Sequence, residues 1–184
     1  MYLLEGLLSW DRLVKVKPFI RRGARLCDVG CGGKARLLRH LASRLDEGIG
    51  IDSEIYPKKE GKLRFLRADF NRQKLPLSVR SVDVVTVLAV IEHVKFPERL
   101  VRECYRILKP GGVILITTPS RWNEPLLLLL AKTRFVSPEM IGQHETYFTL
   151  QSLGLLLEGV GFGKVKSTFF QFGLNIFARA VKPG

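Results

Sequence analysis

The fold is decided by the stretch Leu26-Cys27-Asp28-Val29-Gly30-Cys31-Gly32-Gly33-Lys34-Ala35-Arg36-Leu37-Leu38. The pattern predicts a short buried strand, a sharp turn and the start of a helix. Gly30, Gly32 and Gly33 mark the turn, because glycine takes a positive φ at no steric cost and leaves the backbone open to a ligand. Free N–H groups at the start of the helix favour a carboxylate or phosphate. The stretch therefore predicts a nucleotide-like cofactor at the first βα turn of a parallel sheet.

Length and composition are those of one globular domain. The chain has 184 residues, of which 46% are hydrophobic, a size and composition typical of a single packed core. The longest apolar run, residues 126–131, falls far short of the ~20 residues that span a bilayer. The N-terminus shows no secretory signal. We therefore expect a cytoplasmic protein, with attachment to a membrane surface as an open alternative.

The cysteine content and the net charge limit which metals and partners are expected. Cys27, Cys31 and Cys104 have no His or Cys pair at metal-ligand spacing, so we expect reduced, packed cysteines and no metal. The formal net charge is +13. Such a charge favours an anionic partner, either a membrane surface, RNA or an acidic substrate, although solubility alone also accounts for it.

The order of elements predicts a doubly wound α/β sheet in a single domain. Apolar runs of strand length alternate with helical periodicity, and the last two runs form a hairpin. The predicted strands are 25–29, 48–52, 63–67, 82–88, 113–118, 164–170 and 174–181. The predicted helices are 34–45, 97–108 and one that Thr149 caps and that ends near residue 160. Residues 54–61 are predicted to form a polar loop or a short helix. The expected sheet has seven mostly parallel strands and an antiparallel C-terminal hairpin.

Two segments lie outside this alternation in the single domain 1–184. Residues 1–24 favour a helix that caps the cofactor cleft, and a basic amphipathic helix lying on a membrane is the alternative. Residues 119–148 form a long insertion that we expect to act as a lid over the active site.

Four acidic residues stand at informative positions, and the first, Asp28, lies two residues before Gly30. Asp52 lies 22 residues after Gly30, where a carboxylate accepts both hydroxyls of a ribose. Asp69 follows the third strand, where it can accept a hydrogen bond from an adenine amine. Asp83 begins the fourth strand, away from the ligand edge, and is predicted to be structural. Residues 30–35 also match the dinucleotide pattern G-x-G-x-x-A, so a nicotinamide cofactor remains an alternative at this point.

Five ordered motifs carry a resemblance over residues 25–120. They are Leu26-Cys27-Asp28-Val29-Gly30-Cys31-Gly32, Gly50-Ile51-Asp52, Arg67-Ala68-Asp69-Phe70, the run from Ser81-Val82-Asp83 to Ile91-Glu92-His93-Val94, and Arg106-Ile107-Leu108-Lys109-Pro110-Gly111-Gly112. Together they resemble the class I S-adenosylmethionine-dependent methyltransferases, and most closely the small-molecule branch related to quinone biosynthesis. The resemblance implies a Rossmann-like fold and S-adenosyl-L-methionine as the cofactor.

The resemblance also implies roles for individual residues. The glycine loop would hold the methionine part of the cofactor, Asp52 the ribose, and Asp69 with Phe70 the adenine. The residues expected to bind the cofactor are Asp28, Gly30, Cys31, Gly32, Gly33, Asp52, Ser53, Ala68, Asp69, Phe70, Leu88, Ala89 and Val90. The sequence departs from the family pattern at Lys34, where a glycine is usual.

Methyl transfer is a direct displacement at a carbon activated by a sulfonium, so alignment supplies most of the acceleration. A base is needed only for an acceptor with a high pKa. His144 and His93 are the candidates, and for both a structural role is the alternative.

The insertion, with its leucine run at 126–130, favours a small-molecule or lipid-like methyl acceptor. Two rivals stay open: methylation of RNA, and a catalytically silent subunit that binds only the cofactor or a partner.

Overall fold

An eight-stranded sheet organises the part of the chain that the structure describes, and its strands, numbered in chain order with the ranges given below, lie in the order β3-β4-β2-β1-β5-β6-β8-β7. The computed structural model describes residues 10–120 and 147–184. The strands are β1 (Arg25–Val29), β2 (Glu47–Asp52), β3 (Lys58–Glu60), β4 (Leu63–Arg67), β5 (Val82–Leu88), β6 (Leu108–Pro119), β7 (Gly163–Phe170) and β8 (Asn175–Val181).

The central strands β4, β2, β1, β5 and β6 are parallel. Val29, the last residue of β1, pairs with Ile51 on one side and Val87 on the other, so these strands end at one edge of the sheet. In such sheets, ligands bind beyond the carboxyl ends of the strands. The register therefore brings the ends of β1, β2 and β5 together as a candidate site.

Helices cover both faces of the sheet. They are α1 (residues 10–16 of the described part), α2 (Arg36–Leu41), α3 (Pro97–Ile107) and α4 (Leu150–Val160). Leu13 and Val16 of α1 and Leu38 of α2 belong to the core on one face. Val101 of α3 and Leu153 of α4 belong to the core on the other. This two-sided burial confirms the doubly wound α/β class with an antiparallel hairpin at its C-terminus.

The number of strands differs from the expected seven. Residues 54–61 are neither a loop throughout nor a short helix, because Lys58–Glu60 forms β3, antiparallel to β4. Gly61, with φ +56°, makes the tight turn between the two strands. The sequence concealed this strand because all its residues are charged. Short charged strands are usual at a sheet edge, where they discourage pairing with another chain.

Both ends of α4 follow the sequence prediction. The Thr149 hydroxyl accepts a hydrogen bond from the Ser152 backbone N–H at 3.0 Å, and the Ser152 hydroxyl accepts one from the Thr149 N–H at 2.9 Å. Gly161, with φ +106°, ends the helix. Such a reciprocal cap satisfies N–H groups that have no partner inside the helix.

The insertion leaves and rejoins the sheet at neighbouring points, because Ser120 and Phe148 form a parallel bridge. Residues 121–146, which include most of the insertion, lie outside the described residues, as do residues 1–9. The assignments of 119–148 as a lid and of 1–24 as a cap therefore stay predictions.

Gly30 is required on two counts. Its φ is +74°, and a Cβ at this position would overlap the Cγ2 methyl of Val90. Gly32 has a similar φ of +65°, but a Cβ there would meet open space. The two glycines therefore share the backbone constraint and differ in the steric one.

We expect Gly30→Ala to destabilise the protein more than Gly32→Ala. Each change costs about 1 kcal/mol for a left-handed alanine, and overlap at Gly30 adds about 1–3 kcal/mol. Urea denaturation of both variants measures the difference. Gly30→Ala combined with Val90→Ala should recover part of the overlap cost, and equal stability losses for the two single variants would contradict the steric assignment.

Candidate cofactor site

A cavity of about 410 Å³ opens at the carboxyl ends of β1 and β5. Residues of the glycine loop, α1, α2 and β5 form its wall. They are Arg12, Leu13, Asp28, Gly30, Cys31, Gly32, Gly33, Lys34, Ala35, Arg36, Leu37 and Leu88. Five of the residues expected to bind a cofactor thus meet Leu88 in one cavity.

The glycine loop is fastened to β2 through its backbone. The N–H groups of Gly30 and Cys31 donate to the carbonyl of Ile51 at 2.7 and 3.3 Å. The N–H of Gly32 donates to Oδ2 of Asp52 at 2.9 Å. The loop is therefore held in place while its glycines leave the cavity clear of side chains.

The helix after the loop begins later than expected. It starts at Arg36 instead of residue 34, because Ala35 takes a left-handed conformation with φ +42°. Lys34 is exposed and lines the cavity mouth, and its carbonyl accepts a hydrogen bond from Nε of Arg39 at 3.2 Å. The left-handed turn thus falls one residue after the position where the family usually has glycine.

Asp28 is a buried acid in the cavity wall. Its Oδ1 accepts a hydrogen bond from the Thr86 hydroxyl at 2.7 Å. Burial raises the pKa of Asp28 to about 7, the Thr86 hydrogen bond opposes that rise, and the nearby Asp52 carboxylate adds to it. A cation in the cavity would stabilise the ionised form of this carboxyl.

Asp52 ends β2 with both carboxylate oxygens held. Oδ2 accepts from Gly32 and Oδ1 accepts from the N–H of Glu54 at 3.0 Å. A carboxylate oxygen can accept a second hydrogen bond. Asp52 is thus fixed in orientation and retains the capacity to accept two ribose hydroxyls. Next to it, the carbonyl of Ser53 accepts from Nε of Arg67 at 2.8 Å.

The segment after β4 lies beside β2 at the same edge. The N–H of Ala68 donates to the Asp52 carbonyl at 3.1 Å. Oδ1 of Asp69 accepts from the N–H of Asn71 at 2.9 Å, and Phe70 is partly buried against the core. The Asp69 carboxylate therefore stabilises the turn in which it lies. It can still accept a second hydrogen bond from an adenine amine.

The residues at the end of β5 have different surroundings: one lines the cavity and another packs against the glycine loop. Leu88 lies in the cavity wall. The Val90 side chain lies against Gly30. Ala89 has a left-handed φ of +55°, and its N–H donates to the Thr117 carbonyl at 2.8 Å. Of the three residues expected to line the site, Leu88 alone lies in the wall of this cavity, and Val90 instead shapes the loop.

Arg12 is a cavity residue that the sequence reasoning missed. Its Nε is buried and has no hydrogen-bond partner among the described residues. Burial lowers the pKa of Arg12, while the negative charge of Glu92 opposes that shift. The available signal was helical spacing, because Arg12 adjoins Leu13 and lies one turn before Val16 on the inner side of α1. A partly buried guanidinium in a cavity wall can hold a carboxylate or phosphate.

Glu92 is a second residue that the reasoning did not assign. It follows β5 in a single 3-10 turn, Ile91–His93, and is 2% exposed. Its Oε2 lacks a hydrogen-bond partner within the described part of the chain. Burial raises the pKa of Glu92, whereas His93, Thr118 and Arg12 act in the opposite direction. The ligand edge thus carries a buried carboxyl with free acceptor capacity.

Of the two candidate bases, His93 and His144, the structure describes only the first. The exposed His93 lies at the ligand edge with its Nε2 3.9 Å from Oε1 of Glu92. His144 lies outside the described residues. A catalytic role for either residue stays a prediction.

The three cysteines are packed in the interior of the fold. Cys27, Cys31 and Cys104 are free and buried. Burial, with the nearby charges of Asp28 and Asp52, raises the pKa of the Cys31 thiol to about 12, so it stays protonated.

Asp83 receives hydrogen bonds from the Arg25 N–H at 2.8 Å and from Lys109 Nζ at 3.0 Å, as its structural assignment predicted. Residues 10–120 and 147–184 contain no group of three or more His, Cys, Asp or Glu that could hold a metal ion.

The fold and this cavity define a cofactor-binding domain of the class that uses S-adenosylmethionine. A family model described as a methyltransferase domain matches residues 6–167, and the chain belongs to that family. The chain is 38% identical over 104 residues to a protein from Mycolicibacterium smegmatis named "Probable S-adenosylmethionine-dependent methyltransferase", with 54% of this chain and 39% of that protein covered.

The chain is 30% identical over 150 residues to a ubiquinone biosynthesis O-methyltransferase of Pseudomonas putida, with 69% of this chain and 64% of that protein covered. It therefore spans between about two fifths and two thirds of the length of these relatives.

A solved structure shows the same fold. It is a phosphoethanolamine N-methyltransferase of Haemonchus contortus in complex with phosphomonomethylethanolamine and S-adenosylhomocysteine. The TM-score is 0.70 at 19% identity, with 95% of this chain and 53% of that chain covered.

The residues present fit S-adenosylmethionine. The orphaned Arg12 Nε suits the cofactor carboxylate, the buried Asp28 suits its positive charge, and the glycine loop leaves room between them. The family and this donor set together exclude the nicotinamide alternative.

The raised pKa of Asp28 predicts a trade between stability and binding. In the unfolded chain an Asp ionises near pH 3.9, so folding favours the protonated form and stability falls as pH rises from about 4 towards 7. Asp28→Asn removes that fall. We expect it to raise the melting temperature at pH 8 by about 3 °C or more, with a smaller difference at pH 5.

Calorimetry with S-adenosylhomocysteine tests the binding half. The wild type should bind more tightly at pH 8 than at pH 6, since the ionised carboxylate attracts the ligand ammonium. Asp28→Asn should bind more weakly at pH 8 and show little change with pH. A variant with unchanged affinity at pH 8 would remove Asp28 from the binding site.

Proposed function

We propose that the protein transfers the methyl group of S-adenosyl-L-methionine to a small-molecule or lipid-like acceptor. The observation that carries the proposal is the cavity at the strand ends, where a glycine loop, Asp28 and the partly buried Arg12 meet. The cofactor supplies a methyl carbon already activated by its sulfonium. The chain therefore has to bind, orient and exclude water, and the buried thiol of Cys31 is not needed as a nucleophile.

Each polar group then has a task in holding the cofactor. Arg12 pairs with the methionine carboxylate, Asp28 faces the ammonium, and Asp52 accepts the ribose hydroxyls. Asp69 and Phe70 border the adenine. Alignment of the acceptor with the methyl carbon follows from this fixed frame, and a proton acceptor is needed only for a weakly acidic acceptor. His144, His93 and the buried Glu92 are the groups available for that role.

The proposed acceptor class draws on two supports. One is the apolar run at 126–130 within the insertion, whose ends meet at the ligand edge. The other is the similarity to a ubiquinone biosynthesis O-methyltransferase. RNA methylation and a catalytically silent cofactor-binding subunit remain the alternatives, because the charge of +13 admits the first and cofactor binding alone admits the second. The location in the cytoplasm stays a prediction. None of the described helices is long and apolar enough to cross a membrane.

Replacing Arg12 should separate cofactor binding from general charge. Arg12→Met is expected to weaken binding of S-adenosylhomocysteine by about tenfold to a hundredfold, because a buried charge-assisted hydrogen bond is lost. Lys17→Met removes a positive charge just beyond the same helix, at a position outside the cavity, and should leave affinity within about twofold of wild type. Calorimetry at one salt concentration compares the two, and equal losses would reduce the Arg12 effect to long-range charge.

The acceptor is tested with cofactor labelled in its methyl group and separate lipid, small-metabolite, protein and RNA fractions. Label should enter the lipid or small-metabolite fraction. Label in RNA would establish the first alternative, and tight cofactor binding with no labelled product would establish the second.

With the labelled fraction in hand, His144→Ala should lower turnover by tens-fold or more with cofactor affinity retained, on the scale of a lost general base. His93→Ala, measured in parallel, tests the second candidate. Unchanged turnover in both variants would leave alignment alone as the source of acceleration.

A further inference from the structure

The outer side of α1 carries large apolar side chains that no core cluster absorbs. Trp10 is 53% exposed and Val14 is 51% exposed, and the exposed Pro18 continues their spacing of four residues. This spacing places Trp10 and Val14 on one side of α1, and Pro18 follows just beyond the helix, in the 3-10 turn Lys17–Phe19. The inner side of the same helix packs on the sheet through Leu13 and Val16. α1 is thus apolar on two sides, and one of them faces solvent.

The turn between β7 and β8 extends this surface. Phe172 at its tip is fully exposed. Phe172 and the preceding Gln171 both have positive φ, at 56° and 52°, a conformation that costs energy in residues other than glycine. Nε2 of Gln171 donates to Oδ2 of Asp11 in α1 at 3.3 Å, and its Oε1 accepts from Nδ2 of Asn175 at 2.6 Å. The turn is therefore held beside α1 with a phenylalanine pointing to solvent.

We define the apolar face as Trp10, Val14, Pro18 and Phe172. Two shallow grooves flank α1 and share Val14 and Pro18. Lys17 and Arg44 line one groove. Lys15 lines the other, together with Asp11, the single acidic residue in either groove. The apolar face is consequently bordered by positive side chains on both sides.

We propose that this apolar face docks the protein on an anionic lipid bilayer. An interfacial helix buries an apolar stripe at the level of the headgroups while flanking lysines contact anionic lipids, and Trp is a preferred residue at that depth. The charge of the chain, +13, adds long-range attraction to such a surface. A second copy of the chain fits less well, because two surfaces of the same sign would meet. RNA fits less well because the grooves combine aliphatic and isolated aromatic groups instead of a stacking platform.

Docking in this orientation has a consequence for the cavity. Arg12 and Leu13, on the inner side of α1, lie in the cofactor cavity wall. The docked helix therefore separates bilayer from cofactor by its own width. The docking proposal does not depend on the identity of the methyl acceptor, and an apolar acceptor would gain a short route from the bilayer to the site.

Co-sedimentation of the full chain with vesicles tests the proposal. Vesicles of phosphatidylcholine with about one third phosphatidylserine should bind the protein at least about tenfold more tightly than phosphatidylcholine alone. Trp10→Ser combined with Phe172→Ser should weaken binding to the anionic vesicles by at least about tenfold, and Lys17→Glu by about fivefold or more. Leu155→Ser, which removes an exposed leucine from α4 on the opposite face, is the matched control and should bind as wild type.

Circular dichroism checks that each variant is folded, and binding of S-adenosylhomocysteine keeps this test separate from the proposed function. Arg12→Met should lose ligand affinity and retain vesicle binding, whereas the Trp10/Phe172 variant should show the reverse. Equal sedimentation of all variants, or no binding to anionic vesicles, would overturn the proposal. Salt-sensitive binding to RNA in the absence of vesicle binding would assign the basic surface to RNA, and dimerisation lost in the Trp10/Phe172 variant would assign it to a second copy.

Discussion

The site depends on one constraint: the backbone between β1 and α2 must turn back under Val90 with no side chain in the way. Gly30 meets that constraint, with a positive φ and a neighbour that a Cβ would overlap. Once the turn is made, the N–H groups of Gly30 and Cys31 reach the carbonyl of Ile51, and the N–H of Gly32 reaches Asp52. A single sterically enforced turn thereby holds the loop, Asp52 and the start of α2 in a fixed relation to one another.

Most of this frame could be read from the sequence, for a physical reason. Central parallel strands are buried on both faces, so their sequences are nearly continuous apolar runs. β1 and β5 have this pattern, which is why the sequence predicts them. Glycines and capping residues mark the turns, and Thr149 and Gly161 did so for α4. The positions of Asp28 and Asp52 follow from the same pattern, because the ends of neighbouring parallel strands meet at one edge.

What the sequence concealed depends on long-range contacts. β3 consists of two lysines and a glutamate, which carry no periodicity, and only pairing with β4 makes it a strand. Arg12 is one of many basic residues in the sequence, and only the packing of α1 shows that its Nε is buried without a partner. In the sequence Glu92 was one residue of a motif, and its burial could not be predicted because burial depends on the folded chain. The pairing of β3 and the burial of Arg12 and Glu92 are determined by tertiary contacts and not by the local sequence pattern.

Buried and partly buried ionisable groups near the ligand edge lower the stability of the fold. Asp28 and Glu92 are buried carboxyls, and burial raises the pKa of both. Arg12 is a partly buried cation with a buried Nε, and burial lowers its pKa. A core built for stability alone would leave such groups out or pair them fully. Asp28 and Arg12 instead line one cavity, with Nε of Arg12 unpaired among the described residues, and this pair of opposite charges suits a zwitterionic ligand. α1 also bears on this site, because its inner side places Arg12 in the cavity wall. The apolar face on the outer side of α1 offers a second surface by which a bilayer would hold this helix in place.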